Sequence, residues 1–319
     1  MKLLYVFFGL LVAVYAADEP SEEDQIRVNA MLDEIGIMVR KKFNIRKPLA
    51  DATVYQEPHF FVNNDIRLTV PQARMLLENM EQELGIQSNI SRREFEDYES
   101  DDFEKRGLSN QATKWSFPIK YAFDGTHSSS EKAVIRRGLQ LWADSTCVSF
   151  QEYSSVGAIG SSPGFQFNKG SGCWSYIGRI SSSSPQTISL GNGCVDEGIA
   201  AHEAGHALGM WHEQMRPDRD NHINVNWANM VSGTESAFAK VASNNDNNYG
   251  TPYDFESVMH YGSLGFSIDY WGKKRVLEPH DQRYATSLGN RDFLSFNDVK
   301  RINYHYGCIS KSNFVTILP

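Results

Sequence analysis

The stretch DEGIAAHEAGHALGMWHEQMRPDRD, residues 196–220, constrains this chain more than any other. Three of the chain's nine histidines, His202, His206 and His212, fall within it. His202 and His206 are four residues apart, so on an α-helix their side chains lie on one face, about one turn apart. Two imidazoles placed in this way can bind one metal ion, and Glu203 follows the first of them directly. The pattern predicts a helix that carries a metal site.

The third histidine can join this site only if the helix ends before it. On a continuous helix, His212 would point away from His206. Gly209 lies between them, and glycine accepts the positive φ that ends a helix and turns the chain sharply. We therefore predict a turn at Gly209 that makes His212 a third ligand. A plain helix with two hydrogen-bonded histidines is the alternative, and the added glycine and histidine disfavour it.

Three histidines predict a zinc ion with catalytic chemistry, one per chain. Structural zinc sites have four protein ligands, whereas catalytic sites keep one position for water. A glutamate next to the first ligand can take a proton from that water as it attacks a carbonyl. The stretch therefore predicts an endopeptidase that hydrolyses peptide bonds with a zinc-bound water, with Glu203 as the general base.

The chain begins with a stretch typical of a secretory signal peptide. Lys2 precedes an apolar run from Leu3 to Tyr15, and the small residues Val14 and Ala16 fit cleavage after Ala16. The run is too short to span a bilayer comfortably, and no later stretch is apolar enough to do so. We expect a signal peptide at residues 1–16 and a secreted, extracellular product with no membrane span.

Four cysteines agree with this location. An even set in a secreted chain predicts two disulfides, and the sequence alone leaves three pairings open. No CxxC pair is present, which disfavours a cysteine-only zinc site. The four are Cys147, Cys173, Cys194 and Cys308.

The front of the chain differs in composition from the rest. We predict that residues 17–106 are a propeptide. Apolar residues at near-helical spacing predict one helix over Ser21–Lys42, and a second helix begins at about Thr69 and Pro71 and ends before Gly85. The apolar positions of the first helix are Ile26, Ala30, Met31, Ile35 and Met38.

Charge marks the end of this region. Residues 1–106 carry 13 basic and 20 acidic side chains, whereas residues 107–319 carry 18 and 19. An acidic run ends in Lys105 and Arg106, a pair that trypsin-like or furin-like proteases cut, so we expect an activating protease at about Arg106. Asn89 heads an Asn-Ile-Ser glycosylation sequon. No basic patch indicates a nucleic-acid partner.

We expect residues 107–308 to form one compact domain, followed by a short tail at 309–319. A strand is predicted over residues 114–123, KWSFPIKYAF. A helix follows with a Ser128–Glu131 capping box, and short alternating segments then read as strands. Asp298 closes a second capping box at the start of a last helix, Ser295 to about Tyr306. The first of these helices has an inward stripe of Ile135, Leu139 and Trp142.

Beyond its three histidines, HEAGHALGMWHEQMRPDRD resembles the extended signature of the astacin family, a group of metzincin zinc proteases. SVMHYG, residues 257–262, resembles the family's methionine turn, and GCWSYIGR and SLGNGC resemble its cysteine loop. The resemblance covers residues 107–308. It implies an α+β, zincin-like catalytic domain with two lobes, preceded here by a partly helical propeptide. A twisted mixed sheet and the active-site helix form the upper lobe, and the lower lobe is irregular with a C-terminal helix.

The resemblance also assigns roles. Met259 would form the methionine turn beneath the metal. Tyr261 would be an additional zinc ligand that swings away to stabilise the oxyanion of the transition state. The segment from Cys173 to Ile180 would be an edge strand that pairs with extended protein or peptide substrates. The implied disulfides are Cys147–Cys308 and Cys173–Cys194.

Latency would depend on an aspartate. Family members keep themselves inactive with the aspartate of an F-x-G-D pattern, and Asp65 in FFVNNDIRL stands at that place, with Val62 for the phenylalanine and Asn64 for the glycine. Glu213 would receive the new N-terminal ammonium after activation. The mature N-terminus would be Arg106 or Gly107.

Other classes of protein are less compatible with these residues. Latent matrixins and adamalysins need a propeptide cysteine, and no cysteine precedes Cys147. A secreted zinc-binding protein without catalytic activity would be expected to lack the glutamate or a ligand, yet all of them are present. A zinc hydrolase that does not act on peptides is a further alternative, but a helix-borne HExxH beside the implied substrate edge strand favours peptides. Arg283 and Arg291 are candidates for contributing to subsite preference, with surface charge as the alternative.

Overall fold

A computed structural model describes residues 21–45, 65–90, 114–242, 248–269, 271 and 273–308. The predicted signal peptide, the Lys105–Arg106 pair and the tail at 309–319 lie outside these residues. Within them, no helix combines the length and the apolar character that crossing a membrane requires.

A six-stranded mixed sheet organises the upper part of the molecule. The strands are β1 (Ile66–Arg67), β2 (Ile119–Phe123), β3 (Phe150–Glu152), β4 (Gly164–Asn168), β5 (Cys173–Tyr176) and β6 (Pro185–Leu190). They lie in the order β1-β5-β6-β4-β2-β3; β5 runs antiparallel to β6, and the other neighbours are parallel. Strand β1 comes from the N-terminal segment, described over residues 21–45 and 65–90, and covers the outer edge of β5. The strand predicted over 114–123 is shorter than expected and begins only at Ile119.

Two helices pack together against this sheet. Helix α3 (Ser129–Ser145) begins with the predicted capping box and buries the predicted stripe, while helix α5 (Glu197–Ala207) is buried almost along its whole length. Gly138 allows them to approach, because a Cβ there would lie 2.6 Å from Ala200 Cβ. Trp142 Nε1 donates to the Ala201 carbonyl at 2.8 Å and fixes the register between the helices. A single turn, α4 (Val156–Ile159), lies between strands β3 and β4.

Gly198, at the start of α5, yields the first prediction. A Cβ there would lie 1.6 Å from the carbonyl oxygen of Arg291, which is backbone and cannot move aside. Gly198→Ala is therefore expected to destabilise the fold by about 3 kcal/mol, measured by thermal or denaturant unfolding. Gly157→Ala is the control, because its Cβ would meet nothing closer than 3.9 Å. Equal stability of the two variants would contradict the packing of α5.

The lower part is irregular, as expected. It contains several short 3₁₀ turns, a two-stranded antiparallel ladder and a C-terminal helix. The disulfides Cys147–Cys308 and Cys173–Cys194 have the implied pairing, with Cα–Cα distances of 5.4 and 5.5 Å. The ladder joins β7 (Ile223–Val225) to β8 (Leu277–Pro279), and the helix is α6 (Phe296–Tyr306), which begins with the predicted second capping box.

The N-terminal segment forms two helices, α1 (Glu22–Lys42) and α2 (Val70–Leu84). Both predicted helices are confirmed, and Gly85 ends the second one with a φ of 65°. Of the apolar positions that indicated α1, Ile26 is 63% exposed and Ala30 is also exposed. The buried positions include Val28, Met31, Ile35, Met38 and Val39. They pack with α2 and with residues of the lower part in a second hydrophobic core.

Candidate metal centre

Helix α5 presents the first two histidines because its ends are well defined. Asp196 is the N-cap, and its Oδ1 accepts from the N–H groups of Gly198 and Ile199 at 2.9 and 3.2 Å. The helix ends at Ala207, and Gly209 has a φ of +110°, as the turn prediction requires.

The three histidine side chains converge, and all are buried. His206 Nε2 lies 3.1 Å from Nε2 of His202 and 3.1 Å from Nε2 of His212. Asp65 Oδ2 lies 3.0 Å from Nε2 of His202 and 3.1 Å from Nε2 of His212. Four atoms at such separations surround a point about 2 Å from each, which is the length of a Zn–N or Zn–O bond. These four residues form a cluster that can hold one metal ion.

The outer ring nitrogens show why a cation fits. His202 Nδ1 lies 2.7 Å from the Val258 carbonyl, and His206 Nδ1 lies 2.8 Å from the Met210 carbonyl. A carbonyl only accepts, so both Nδ1 atoms carry the proton and both Nε2 atoms present lone pairs. Lone pairs 3.1 Å apart repel each other unless a cation lies between them. Outer hydrogen bonds of this kind orient histidine ligands in metal sites.

Burial also keeps two of these imidazoles neutral. Burial lowers the pKa of His202 to about 4, with a further contribution from the positive charge of Arg291. Burial likewise holds the pKa of His206 well below its ordinary value. A metal ligand must be deprotonated, so both side chains are ready to bind at neutral pH.

Asp65 lies against the histidines in the uncleaved chain. Its Oδ1 accepts from the Tyr261 hydroxyl at 2.6 Å, and its backbone carbonyl accepts from the Ser175 N–H at 3.0 Å. Burial opposes ionisation, yet the adjacent His212 and His202 hold the pKa of Asp65 well below its ordinary value. Tyr261 is expected to be a further zinc ligand. In this structure its hydroxyl is hydrogen-bonded to the Asp65 carboxylate.

Glu203 lies beside the cluster, next to His202 in the helix. Its side chain is fully buried, and neither carboxylate oxygen has a hydrogen-bond partner among the described residues. Burial raises its pKa well above the ordinary value, and the negative charge of Asp65 adds to this effect. Buried polar atoms without partners are rare, and one beside a metal cluster indicates a site for a polar molecule such as water.

The methionine turn lies beneath α5. Met259 is fully buried, and Gly205 makes room for it, because a Cβ on Gly205 would lie 2.7 Å from Met259 Sδ. Asp298 holds this turn by accepting from the Ser257 hydroxyl at 2.6 Å and from the Val258 N–H at 2.8 Å.

Sequence reasoning missed this second role of Asp298, which it placed only in a capping box. Arg291, named only as a candidate for subsite preference, has a further role that the sequence did not indicate, because its Nη1 donates to the carbonyls of Val258 and His260 at 2.7 and 3.1 Å. Arg291 therefore supports the turn that holds His202. Arg283 lies at the surface and pairs with Asp281.

Glu213 is buried and surrounded by donors. Both of its oxygens accept from the guanidinium of Arg301, and Oε1 also accepts from the Asp254 N–H at 2.8 Å. Arg216 Nη1 is 3.3 Å from the same oxygen. The carboxylate expected to bind a new N-terminus is thus already neutralised by two arginines from the chain itself, which no sequence signal indicated.

Two further predicted positions can be located. Strand β5 would be an edge strand without β1, which pairs with it in parallel at Ile66–Ser175 and Arg67–Tyr176. Asn89 is exposed, but its Nδ2 donates to Glu34 Oε1 at 3.2 Å, so its glycosylation stays a prediction.

Comparisons with known sequences point to one group of proteins. The family model described as Astacin, a peptidase family, matches residues 107–307. Zinc metalloproteinase nas-30 of Caenorhabditis elegans is 40% identical over 205 residues, which are 63% of this chain and 26% of that protein. Zinc metalloproteinase dpy-31 of the same organism is 32% identical over 308 residues, 90% of this chain and 48% of that protein. The chain thus spans about a quarter to a half of the length of these relatives.

A solved structure has a similar fold. It is that of high choriolytic enzyme 1, a hatching enzyme zinc-protease from Oryzias latipes, the medaka fish. The two chains are 31% identical, with a TM-score of 0.56, and the match covers 62% of this chain and 96% of the other. Sequence and fold are therefore similar to the same kind of protein.

Proposed function

The chain belongs to the astacin family, and on that premise we propose that it is a secreted zinc endopeptidase made as a latent zymogen. The observation that carries the proposal is the convergence of three histidine Nε2 atoms beside the Glu203 carboxylate, which has no hydrogen-bond partner in the part of the chain that the structure describes. An inactive zinc-binding protein would have no use for a buried, unpartnered carboxylate at this place.

The chemistry divides among a few side chains. His202, His206 and His212 would hold the zinc through Nε2. When bound, zinc supplies a Lewis acid that polarises a carbonyl and activates water at neutral pH. Glu203 takes a proton from the attacking water and passes it to the leaving amine nitrogen. The Tyr261 hydroxyl then donates to the oxygen on which negative charge develops.

Substrate binding would use strand β5. In the uncleaved chain the Ser175 N–H donates to the Asp65 carbonyl, and β1 pairs with the outer edge of β5. Once β1 has left, this edge can pair with an extended peptide by main-chain hydrogen bonds. The substrates proposed are therefore unfolded or extended segments of proteins.

Latency would follow from the same contacts. Asp65 fills the fourth position of the metal cluster, and β1 covers the edge of β5. We propose that another protease cuts at about Arg106 and that the site is free once the propeptide has left. Glu213 would then take the new N-terminal ammonium, which must displace or join the cations of Arg216 and Arg301.

Asp65→Ala tests the latency ligand. In the uncleaved chain this change is expected to raise the cleavage of a short fluorogenic peptide at least tenfold, because the fourth position of the cluster opens. The rise stops short of the activated enzyme, since β1 still covers β5. The control is Asp124→Ala, at an exposed carboxylate after strand β2. If the uncleaved variant cleaved the peptide no faster than the uncleaved wild type, Asp65 would be ruled out as the latency ligand.

The function itself is tested on a denatured protein substrate. Protein cut at Arg106 and separated from its propeptide should release fragments whose new ends lie within the substrate chain, identified by mass spectrometry. An activated chain that binds zinc but produces no such fragments would support the inactive alternative.

A further inference from the structure

The N-terminal segment contacts the rest of the molecule in two adjoining places. One is the metal centre, where Asp65 and β1 lie. The other, which we call the clamp surface, is formed by the lower part and by Ile177 just after β5, and it is covered by helices α1 and α2. His212 borders this surface, because it lines a small cavity with Leu76 of α2 and Met215. The apolar members of the clamp surface are Ile177, Trp211, Met215, Trp227, Ala239 and Val241, with Glu235 and Lys240 at its polar positions.

Apolar packing makes up the centre of the clamp surface. Val28, Met31 and Ile35 of α1 are almost fully buried in the same core as Met215 and Val241. Phe43, just after α1, stacks on Trp227 with ring centroids 5.8 Å apart. Burial of such side chains stabilises an association whether or not a peptide bond also joins the two parts.

Polar contacts surround this core and give it a defined register. Arg40 Nη1 lies 2.6 Å from Oε1 of Glu235, whose side chain is only 4% exposed. Lys240 Nζ lies 3.1 Å from Glu83 Oε1, and the Lys240 carbonyl accepts from Asn79 Nδ2 at 2.8 Å. Both helices are therefore fixed to the lower part by charge-assisted or direct hydrogen bonds.

Gly36 shows how closely α1 approaches. A Cβ at this position would lie 2.9 Å from Glu235 Oε2 and 3.0 Å from Arg40 Nη1. Glycine weakens an isolated helix, yet here it allows the helix to lie directly over the buried carboxylate. This close contact indicates a specific interface between α1 and the clamp surface, rather than a segment that only precedes the catalytic domain.

We propose that the clamp surface is a second binding site for the propeptide, which holds it even without the contacts between Asp65 and the histidines. The proposal rests on the zymogen function proposed above. Cutting at Arg106 breaks the chain between α2 and residue 114 but removes none of these contacts. The first product of activation is then a non-covalent complex, in which the propeptide still covers the metal centre. Full activity requires that the propeptide be displaced or degraded.

The test uses the full chain with Glu203→Ala, so that the protein cannot digest its own propeptide. The chain is cut at Arg106 with trypsin under limiting conditions, and the products are separated by size exclusion without denaturant. We expect the propeptide to co-elute with the catalytic domain. Free propeptide that elutes apart from a folded catalytic domain would overturn the proposal. This readout needs no peptidase activity, so it is independent of whether the proposed function is correct.

Variants distinguish the two sites that hold the propeptide, the clamp surface and the metal centre. Arg40→Gln leaves Glu235 buried without its cation and should weaken retention at least tenfold. Gly36→Ala should also weaken it, while favouring the helix itself. Lys41→Gln is the matched control, because Lys41 is exposed and loses the same charge; its effect should stay within about twofold. Circular dichroism before the cut confirms that each variant is folded.

Asp65→Ala completes the test. With the clamp surface intact, the cut Asp65→Ala chain should still co-elute with its propeptide. Release of the propeptide by Asp65→Ala alone, or unchanged retention in both Arg40→Gln and Gly36→Ala, would show that the metal centre is the only site that holds the propeptide. Either result would overturn the proposal.

Discussion

Replacing Glu203 by alanine is expected to lower kcat of the activated enzyme by about 10²–10⁴-fold, the contribution typical of a general base. The three histidines do not depend on this side chain, since His202 and His206 are oriented by the carbonyls of Val258 and Met210. Zinc content should therefore remain at one ion per chain. Activity on a peptide substrate and metal content by atomic absorption measure the two effects separately.

Glu197→Ala is the matched control for this experiment. Glu197 lies on the same helix, but its side chain is partly exposed and pairs with Arg137 at 2.8 Å. Its loss should change kcat by no more than about twofold, in keeping with the small value of surface ion pairs. If Glu203→Ala retained full activity with zinc bound, the assignment of the base would be wrong.

Tyr261→Phe is expected to lower kcat by about 10²–10³-fold, with little change in KM, as for the loss of one oxyanion donor. In the uncleaved chain the Tyr261 hydroxyl donates to Asp65 Oδ1 at 2.6 Å, so it already points to an anionic oxygen at the metal centre. The ring itself packs on Phe238 and Phe266, and phenylalanine keeps these contacts.

The control for Tyr261 is Tyr121→Phe. Tyr121 is also buried, but its hydroxyl donates to Glu152 on strand β3, at 2.9 Å. Steady-state kinetics and zinc content should be close to wild type in this variant. An equal loss in both variants would mean that a missing buried hydroxyl matters only for stability. A loss of zinc in Tyr261→Phe would point instead to a role in holding the metal.

Much of the metal centre could be predicted from the sequence, because the motif is local. The four-residue spacing of His202 and His206 fixes their common face, and Gly209 fixes the end of the helix. Each step depends on residues close together in the chain. The capping boxes of α3 and α6 were predictable for the same reason.

The contacts around the centre could not be predicted in this way, because they join distant parts of the chain. Arg301 reaches Glu213 across 88 positions, and Asp298 reaches Val258 across 40. A charged residue on a helix carries no signal of the partner that tertiary packing gives it. The disulfide pairing and the place of Asp65 came from family resemblance, not from spacing.

The inner face of helix α1 could not be predicted from its sequence for a different reason. Apolar spacing indicates the helix but does not by itself say which residues face the core, and Ile26 and Ala30 are exposed. The structure buries Val28 and Val39 instead, because the inner face must meet both α2 and the lower part of the molecule.

A zinc titration of the activated chain tests the central claim most directly. Zinc is removed with a chelator, the metal-free protein is checked for its fold, and zinc is returned stepwise while peptide cleavage and bound metal are both measured. The account predicts that cleavage disappears with the metal and returns in proportion to it, reaching its maximum at one zinc per chain. Cleavage that persists in protein shown to contain no zinc would contradict it.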